Sequence, residues 1–237
     1  MALLFLASLT PVSSVRMFLY RRVSGFDLAR GAVIDPLNLL DIGELVMKDH
    51  SRIRGVGNVF LSVHRVVLGE HAAIGGPRFG LNLFRGTRNK PTYPRACFRL
   101  GRCSRIELMH YFDLCADLSI GDNVVVGGIK SVFFTHTFHK SEYLPIRIGD
   151  ECYLGSNCLF QMGAGVPSRA VVGMGSVVTK PLSGENCFIA GVPARVVEEN
   201  CGYSARDAFR LRRLRFWERE PRAEEPGSLR AESQPKR

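Results

Sequence analysis

Ile148-Gly-Asp-Glu-Cys-Tyr153, Leu154-Gly-Ser-Asn-Cys-Leu159, Phe160-Gln-Met-Gly-Ala-Gly165, Val166-Pro-Ser-Arg-Ala-Val171, Val172-Gly-Met-Gly-Ser-Val177 and Val178-Thr-Lys180 follow one another without a break. Each block opens on a branched or large apolar residue. A small residue usually comes next, and another small or β-branched one sits four places on. A spacing of six fits neither the 3.6-residue helical period nor strand alternation. It predicts a parallel β-helix, in which each block is a short flat strand plus a corner. The leading side chain points into a narrow interior, and three blocks close one triangular coil.

The pattern extends upstream. Leu100-Gly-Arg-Cys-Ser-Arg105, Ile106-Glu-Leu-Met-His-Tyr111 and Phe112-Asp-Leu-Cys-Ala-Asp117 fit it, as do Ile120-Gly-Asp-Asn-Val-Val125 and Val126-Gly-Gly-Ile-Lys-Ser131. Val132 is expected to open another block. Earlier still, Ile42-Gly-Glu-Leu-Val-Met47, Leu68-Gly-Glu-His-Ala-Ala73 and Ile74-Gly-Gly-Pro-Arg-Phe79 match, with a slip or bulge expected at Arg54–Asn58. Two stretches break the repeat. Gly80–Pro94 reads as a loop excursion; its Arg85, Arg88 and Lys90, with Arg95 beside it, form a solvated basic face or help to hold an anionic acceptor. Residues 133–147 read as a loop extruded from one corner, and loops held by a rigid scaffold are where chemistry concentrates.

The expected fold class is therefore all-β: a parallel β-helix over residues 31–197. Residues 1–30 form an N-terminal amphipathic segment, 198–217 a C-terminal helix, and 218–237 a disordered tail rich in Pro, Glu, Arg and Ser. Val15–Arg22 mixes bulky apolar and basic residues. It suits a helix capping the open end of the β-helix, or a peripheral membrane contact made through residues 1–22. Ala2–Leu9 is too short to span a bilayer and lacks the basic lead-in of a signal peptide.

The 237 residues carry a formal charge of +10, which favours anionic partners. No basic run is interleaved with stacking aromatics, so a nucleic-acid partner is not expected. The seven cysteines are scattered through the repeat. Cys152 and Cys158, like Cys97 and Cys103, are six apart and read as small corner residues stacked in ladders. They suggest a reducing compartment; the expected setting is cytoplasmic, with association at the inner face of the membrane if residues 1–22 make the membrane contact. With no Cys-x-x-Cys pair, a structural metal is not expected.

Ile148-Gly-Asp, Val172-Gly-Met-Gly-Ser-Val-Val-Thr-Lys180 and Ile189-Ala-Gly-Val-Pro-Ala-Arg195 resemble the hexapeptide-repeat acyltransferases, among them the maltose, galactoside, serine and capsular-polysaccharide O-acetyltransferases. The resemblance is dense over 120–197, visible from 31, and absent from 203–237. It implies a left-handed coil, against the usual right-handed crossover, and a homotrimer with sites between subunits. It also implies acetyl-CoA as acyl donor and a sugar or glycan hydroxyl as acceptor. The family's essential histidine matches His136 in Phe134-Thr-His-Thr137, with His139 as the competitor. By the same match Ser156, Met174, Thr179, Lys180 and Arg195 line the coenzyme groove. Met174 departs from the small residue usual there, which would narrow the groove. His50, His64, His71 and His110 lie within the repeat and read as corner or surface residues.

The chemistry suits a histidine. A hydroxyl attacks a thioester only as its proton is removed, and an imidazole, titrating near ~6.5 in model peptides, is free enough at neutral pH to take it. No Gly-x-Ser-x-Gly elbow is present, so direct transfer is expected rather than an acyl-enzyme. Three other readings stay open. One is N-acyl transfer to an amino-sugar. The second is a γ-carbonic-anhydrase-like hydratase with a metal on His110, His136 and His139. The third is a trimeric scaffold without catalysis.

Overall fold

The computed structural model of the chain describes residues 7–90, 95–137 and 142–201. Its strands wind into a left-handed parallel β-helix of hexapeptide coils. Successive turns stack strand on strand. On one face Ile34, Ile53, Ile74, Ile106, Val126, Leu154, Val172 and Ile189 stand in parallel register. A second column runs Leu28, Met47, Leu68, Leu100, Ile120, Ile148 and Val166. All of these side chains are buried, as the sixfold pattern requires.

The third inward column is aromatic. Phe60, Phe84, Phe112, Phe133 and Phe160 are in register, and successive ring centroids are 4.3, 4.5, 4.8 and 4.5 Å apart with nearly parallel planes. Strand spacing dictates this contact: neighbouring strands lie about 4.8 Å apart, so identical rings on successive rungs meet face to face. Phe133, not Val132, is the inward residue of its block, which corrects the expected block start by one residue.

Corners are built from two devices. One is a left-handed residue, at Gly31, His50, His71, Cys103, Asn123, Glu151, Arg169 and Asn186 in turn. The other is a side-chain ladder. The Asn58 amide donates to Asn38 Oδ1 (2.8 Å) and the Asn82 amide to Asn58 Oδ1 (3.0 Å). Asn82 Oδ1 accepts the His110 N–H (2.9 Å), and His110 Nδ1 accepts the Ser131 N–H (3.1 Å). His110 is thus a rung of the ladder, a corner residue that is buried rather than solvated. Close coil approach explains the Ile-Gly-Asp signature: a Cβ on Gly121 would run into Gly149 and Asp150 of the next turn, while Asp150 Oδ1 accepts the Asp122 N–H (2.8 Å).

Burial drives the His110 imidazole down to a pKa of about 4, opposed only by its bond to Ser131. The native ring stays neutral while the unfolded chain takes up a proton below about pH 6.5, so acid favours unfolding. Stability is expected to fall as pH drops from about 6.5 to about 4, by up to roughly 3 kcal/mol from this group. Denaturation midpoints of the chain and of His110→Asn across that range check it: the acid-dependent part of the difference must vanish in the variant.

The Ser13–Ser24 helix caps one end of the spool. Met17 and Tyr20 pack on the core, and Arg16, buried, donates from Nε to the Ile34 carbonyl of the first full coil (2.8 Å). Val15 and Phe18 remain exposed on its outer side. Among the described residues no helix is long and apolar enough to cross a membrane. At the far end Phe188–Gly191 and Ala194–Glu198 pair as an antiparallel hairpin. The expected helix at 203–217 and the tail after it lie outside the described residues.

Two further expectations change. Gly80–Pro94 is not one excursion: Leu83–Gly86 is a strand of the main sheet with Phe84 in the core. Cys97 and Cys103 do not share a ladder, since Cys97 lies in a strand and Cys103 at a left-handed corner. Cys152 and Cys158 are buried, and all seven cysteines are free thiols.

Candidate active site

The chain leaves the coil after the Val132–Phe134 strand and returns at Ile146–Ile148. Thr135 fixes the point of departure. Its buried hydroxyl accepts the N–H groups of Cys115 and Ala116 (2.9 Å each) and donates to the Asp113 carbonyl (2.8 Å). His136–Thr137 then pairs antiparallel with Glu142–Tyr143, so the excursion begins as a small hairpin standing off the scaffold. His139 lies outside the described residues.

That clamp sets His136 over the preceding coil. Its Nδ1 lies 2.5 Å from Asp113 Oδ2, with side chains only 10% and 4% exposed. With Asp113 as a carboxylate, which only accepts, the shared hydrogen sits on Nδ1, and Nε2 is the ring nitrogen of that tautomer that carries the lone pair. Asp113 follows Phe112, the inward ring of its strand, so strand alternation turns it outward, beneath the hairpin.

The pair opens on a cleft of about 370 Å³ whose walls include Leu61, Ser62, Arg85, Thr87, Lys90 and Cys115. Cys115 donates its thiol toward Asp113 Oδ1 (3.6 Å). Burial, then the Asp113 charge, pushes that thiol up to about 12. A protonated thiol is a poor nucleophile and a poor metal ligand. Asp113, Cys115 and His136 bring one ligand atom each within 4.8 Å of one another. With the thiol protonated and Nδ1 committed to Asp113, the trio suits an acid–base pair with a neutral neighbour better than a metal centre. The hydratase alternative also needs His110, whose Nδ1 is committed to the corner ladder.

The residues expected in the coenzyme groove lie apart from this cleft. Ser156 caps the Gly127–Gly128 corner, its hydroxyl accepting the Ile129 N–H (3.3 Å). Met174 stands on the next coil at the same corner, 78% exposed. Thr179 and Lys180 follow Val178, and Arg195 lies on the terminal hairpin opposite Ala190. Val178 is in register with Phe160, Phe133 and Phe112. Thr179 therefore sits about three strand spacings, roughly 14 Å, from Asp113 along one sheet. Asp113 was missed in the sequence because it occupies an ordinary repeat position. The only hint is an acidic side chain immediately after an inward phenylalanine.

Residues 145–180 match the sequence family described as "Hexapeptide repeat of succinyl-transferase". Residues 145–180 are hexapeptide repeat. The chain is 33% identical over 90 residues to the galactoside O-acetyltransferase of Escherichia coli K12, covering 35% of this chain and 44% of that one. The chain spans less than half the length of the curated relatives it matches. Among solved structures, the hexapeptide coils are similar to the maltose O-acetyltransferase of Clostridium difficile 630 (17% identity, TM-score 0.44, 83% of this chain and 82% of that one). They are also similar to the polySia specific acetyltransferase NeuO (18% identity, TM-score 0.47, 74% and 82%).

Proposed function

We propose that the chain transfers an acetyl group from acetyl-CoA to a hydroxyl of a sugar or glycan, with His136 as general base. The observation that carries this reading is the buried His136–Asp113 contact in the wall of a cleft. Nε2 takes the acceptor proton as the hydroxyl oxygen attacks the thioester carbonyl. The tetrahedral oxyanion collapses, the carbon–sulfur bond breaks, and the proton passes from the imidazole to the departing thiolate. Asp113 is a positioning residue: it holds the ring and its tautomer and offsets the charge of the imidazolium.

The layout of the sheet supports a division of labour. The cleft lies toward the N-terminal coils, where Arg85 stands in register with Asp113 on the adjacent strand. The stretch toward Thr179 and Lys180 lies on the C-terminal side and has the length of an extended thioester arm. Ser156, Met174, Thr179, Lys180 and Arg195 are assigned to the donor in this reading, Lys180 and Arg195 as cations for its phosphates. Assembly as a homotrimer belongs to the same proposal, as does an outward membrane contact through the helix face bearing Val15 and Phe18.

Thiol release from acetyl-CoA in the presence of a panel of sugars, followed by mass analysis of the acceptor, tests the activity. Absence of any acetylated sugar overturns it. Asp113→Asn is expected to lower kcat by about tenfold or more and to shift the pH profile of kcat, while KM for acetyl-CoA stays near the parent value. A loss confined to KM would contradict the positioning role.

A further inference from the structure

We infer that the acceptor is anionic: a sugar carrying a carboxylate or phosphate that Arg85, with Lys90, holds beside the transferred hydroxyl. This rests on the acetyl-transfer reading and adds the acceptor's charge class to it. Of the four cations in and beside the 80–94 stretch, the structure separates two roles. Arg88 is spent on an ion pair with Asp41, and Asp41 also accepts the Ser62 N–H (2.8 Å). Arg95 is not among the residues of the cleft wall, and its charge acts on His64. Arg85 and Lys90 both line the cleft.

Arg85 follows the buried Phe84, so it projects from the outer side of the sheet on the rung next to Asp113. It makes no ion pair among the described residues. The positive charges of Arg85 and Lys90 reach as far as the Cys115 thiol, beside the dyad. Asp113 is the sole acidic side chain among the cleft's lining residues, and it is engaged with His136. Arg85 therefore presents to the cleft a guanidinium that no ion pair among the described residues takes up.

A second feature points to a polar ligand. Thr87, 7% exposed, lines the same cleft, and its buried hydroxyl has no hydrogen-bond partner among the described residues. A buried hydroxyl left unpaired is costly, and a ligand oxygen reaching that wall would relieve it. Asn89, whose amide donates to the Ser62 hydroxyl (3.0 Å), adds polar surface suited to sugar hydroxyls. A neutral sugar would use the hydroxyl and amide groups and leave the guanidinium idle. An anionic one would use both, because a guanidinium binds carboxylate or phosphate through paired N–H donors.

The full chain, supplied with acetyl-CoA, is compared on galactose, galacturonic acid and galactose 6-phosphate, which differ only in the group at C6. Binding of each sugar is also read by calorimetry, independently of turnover. The expected result is that at least one of the two anions binds and reacts better than the neutral sugar by about tenfold or more in kcat/KM. Comparing the acid with the phosphate identifies which oxyanion is taken. In Arg85→Gln the anion-to-neutral ratio should fall to about one, with the loss in KM for the acceptor. Equal binding of neutral and anionic sugars by the parent chain overturns the inference. So does an Arg85→Gln effect confined to KM for acetyl-CoA, which would assign the cation to donor phosphates. Anion-selective binding without acetyl transfer would sustain the charge class while overturning the acetyl-transfer reading.

Discussion

His136→Ala is expected to lower kcat/KM for acetyl transfer by about 10²–10⁴-fold, the usual contribution of a positioned general base, while leaving the fold intact. The side chain belongs to a hairpin that stands off the spool, and none of the three inward columns depends on it. Far-UV circular dichroism, the thermal midpoint and the state of assembly should therefore match the parent. His136→Gln separates the base from its geometry, since the amide keeps hydrogen-bonding capacity but cannot take the proton, and it should be nearly as inactive. Parent-like turnover in either variant would remove His136 from the mechanism. An equal loss of folding and activity would make it a structural residue instead.

Phe112→Ala is expected to produce the largest change in stability. Its ring is fully buried, stacked 4.5 Å from Phe84 and 4.8 Å from Phe133, with Phe98 tilted against it at 5.6 Å. Its neighbours are pinned in register by the strands they sit on, so they cannot collapse into the space left behind. Large-to-small changes at such sites cost about 3–5 kcal/mol. For a chain of this size that corresponds to a thermal midpoint lower by roughly 6–20 °C. Asp113 is the next residue, so loosening of the strand should also reduce turnover at temperatures where the variant is still folded. Phe112→Leu should recover much of the loss. A midpoint within about 2 °C of the parent for Phe112→Ala would mean that the aromatic column is not a source of stability.

Much of the fold is legible in the sequence because a hexapeptide coil is built locally. Whether Ile148, Leu154 or Val172 faces inward depends on its place in its own block, and the blocks repeat. The reading weakened where the period is interrupted. Phe84 lies between two irregular stretches, so its strand was hidden inside what looked like a single loop. Val132 and Phe133 are both apolar, and only the pairing of Phe133 with Phe112 and Phe160 selects the inward one. His110 reads in the sequence as a corner or surface residue, with nothing to show that it is buried. Its burial follows from a ladder of Asn38, Asn58 and Asn82 whose members are about one coil apart, which no local window reveals.

The site divides in the same way. His136 was identified from its motif on an extruded loop. Its partner was not, because Asp113 is 23 residues upstream and becomes a neighbour only when one coil lies on the next. The separation of Arg88, tied to Asp41, from Arg85, facing the cleft, also depends on contacts between coils. By itself the sequence determined the stacked-coil architecture, the inward residues of its regular blocks and the place where the chain departs from it, since these follow from a short repeating pattern acting within each turn. Which side chains meet outside the core was decided only by the tertiary structure, because vertical register brings together residues whose distance along the chain is set by the loops inserted between them.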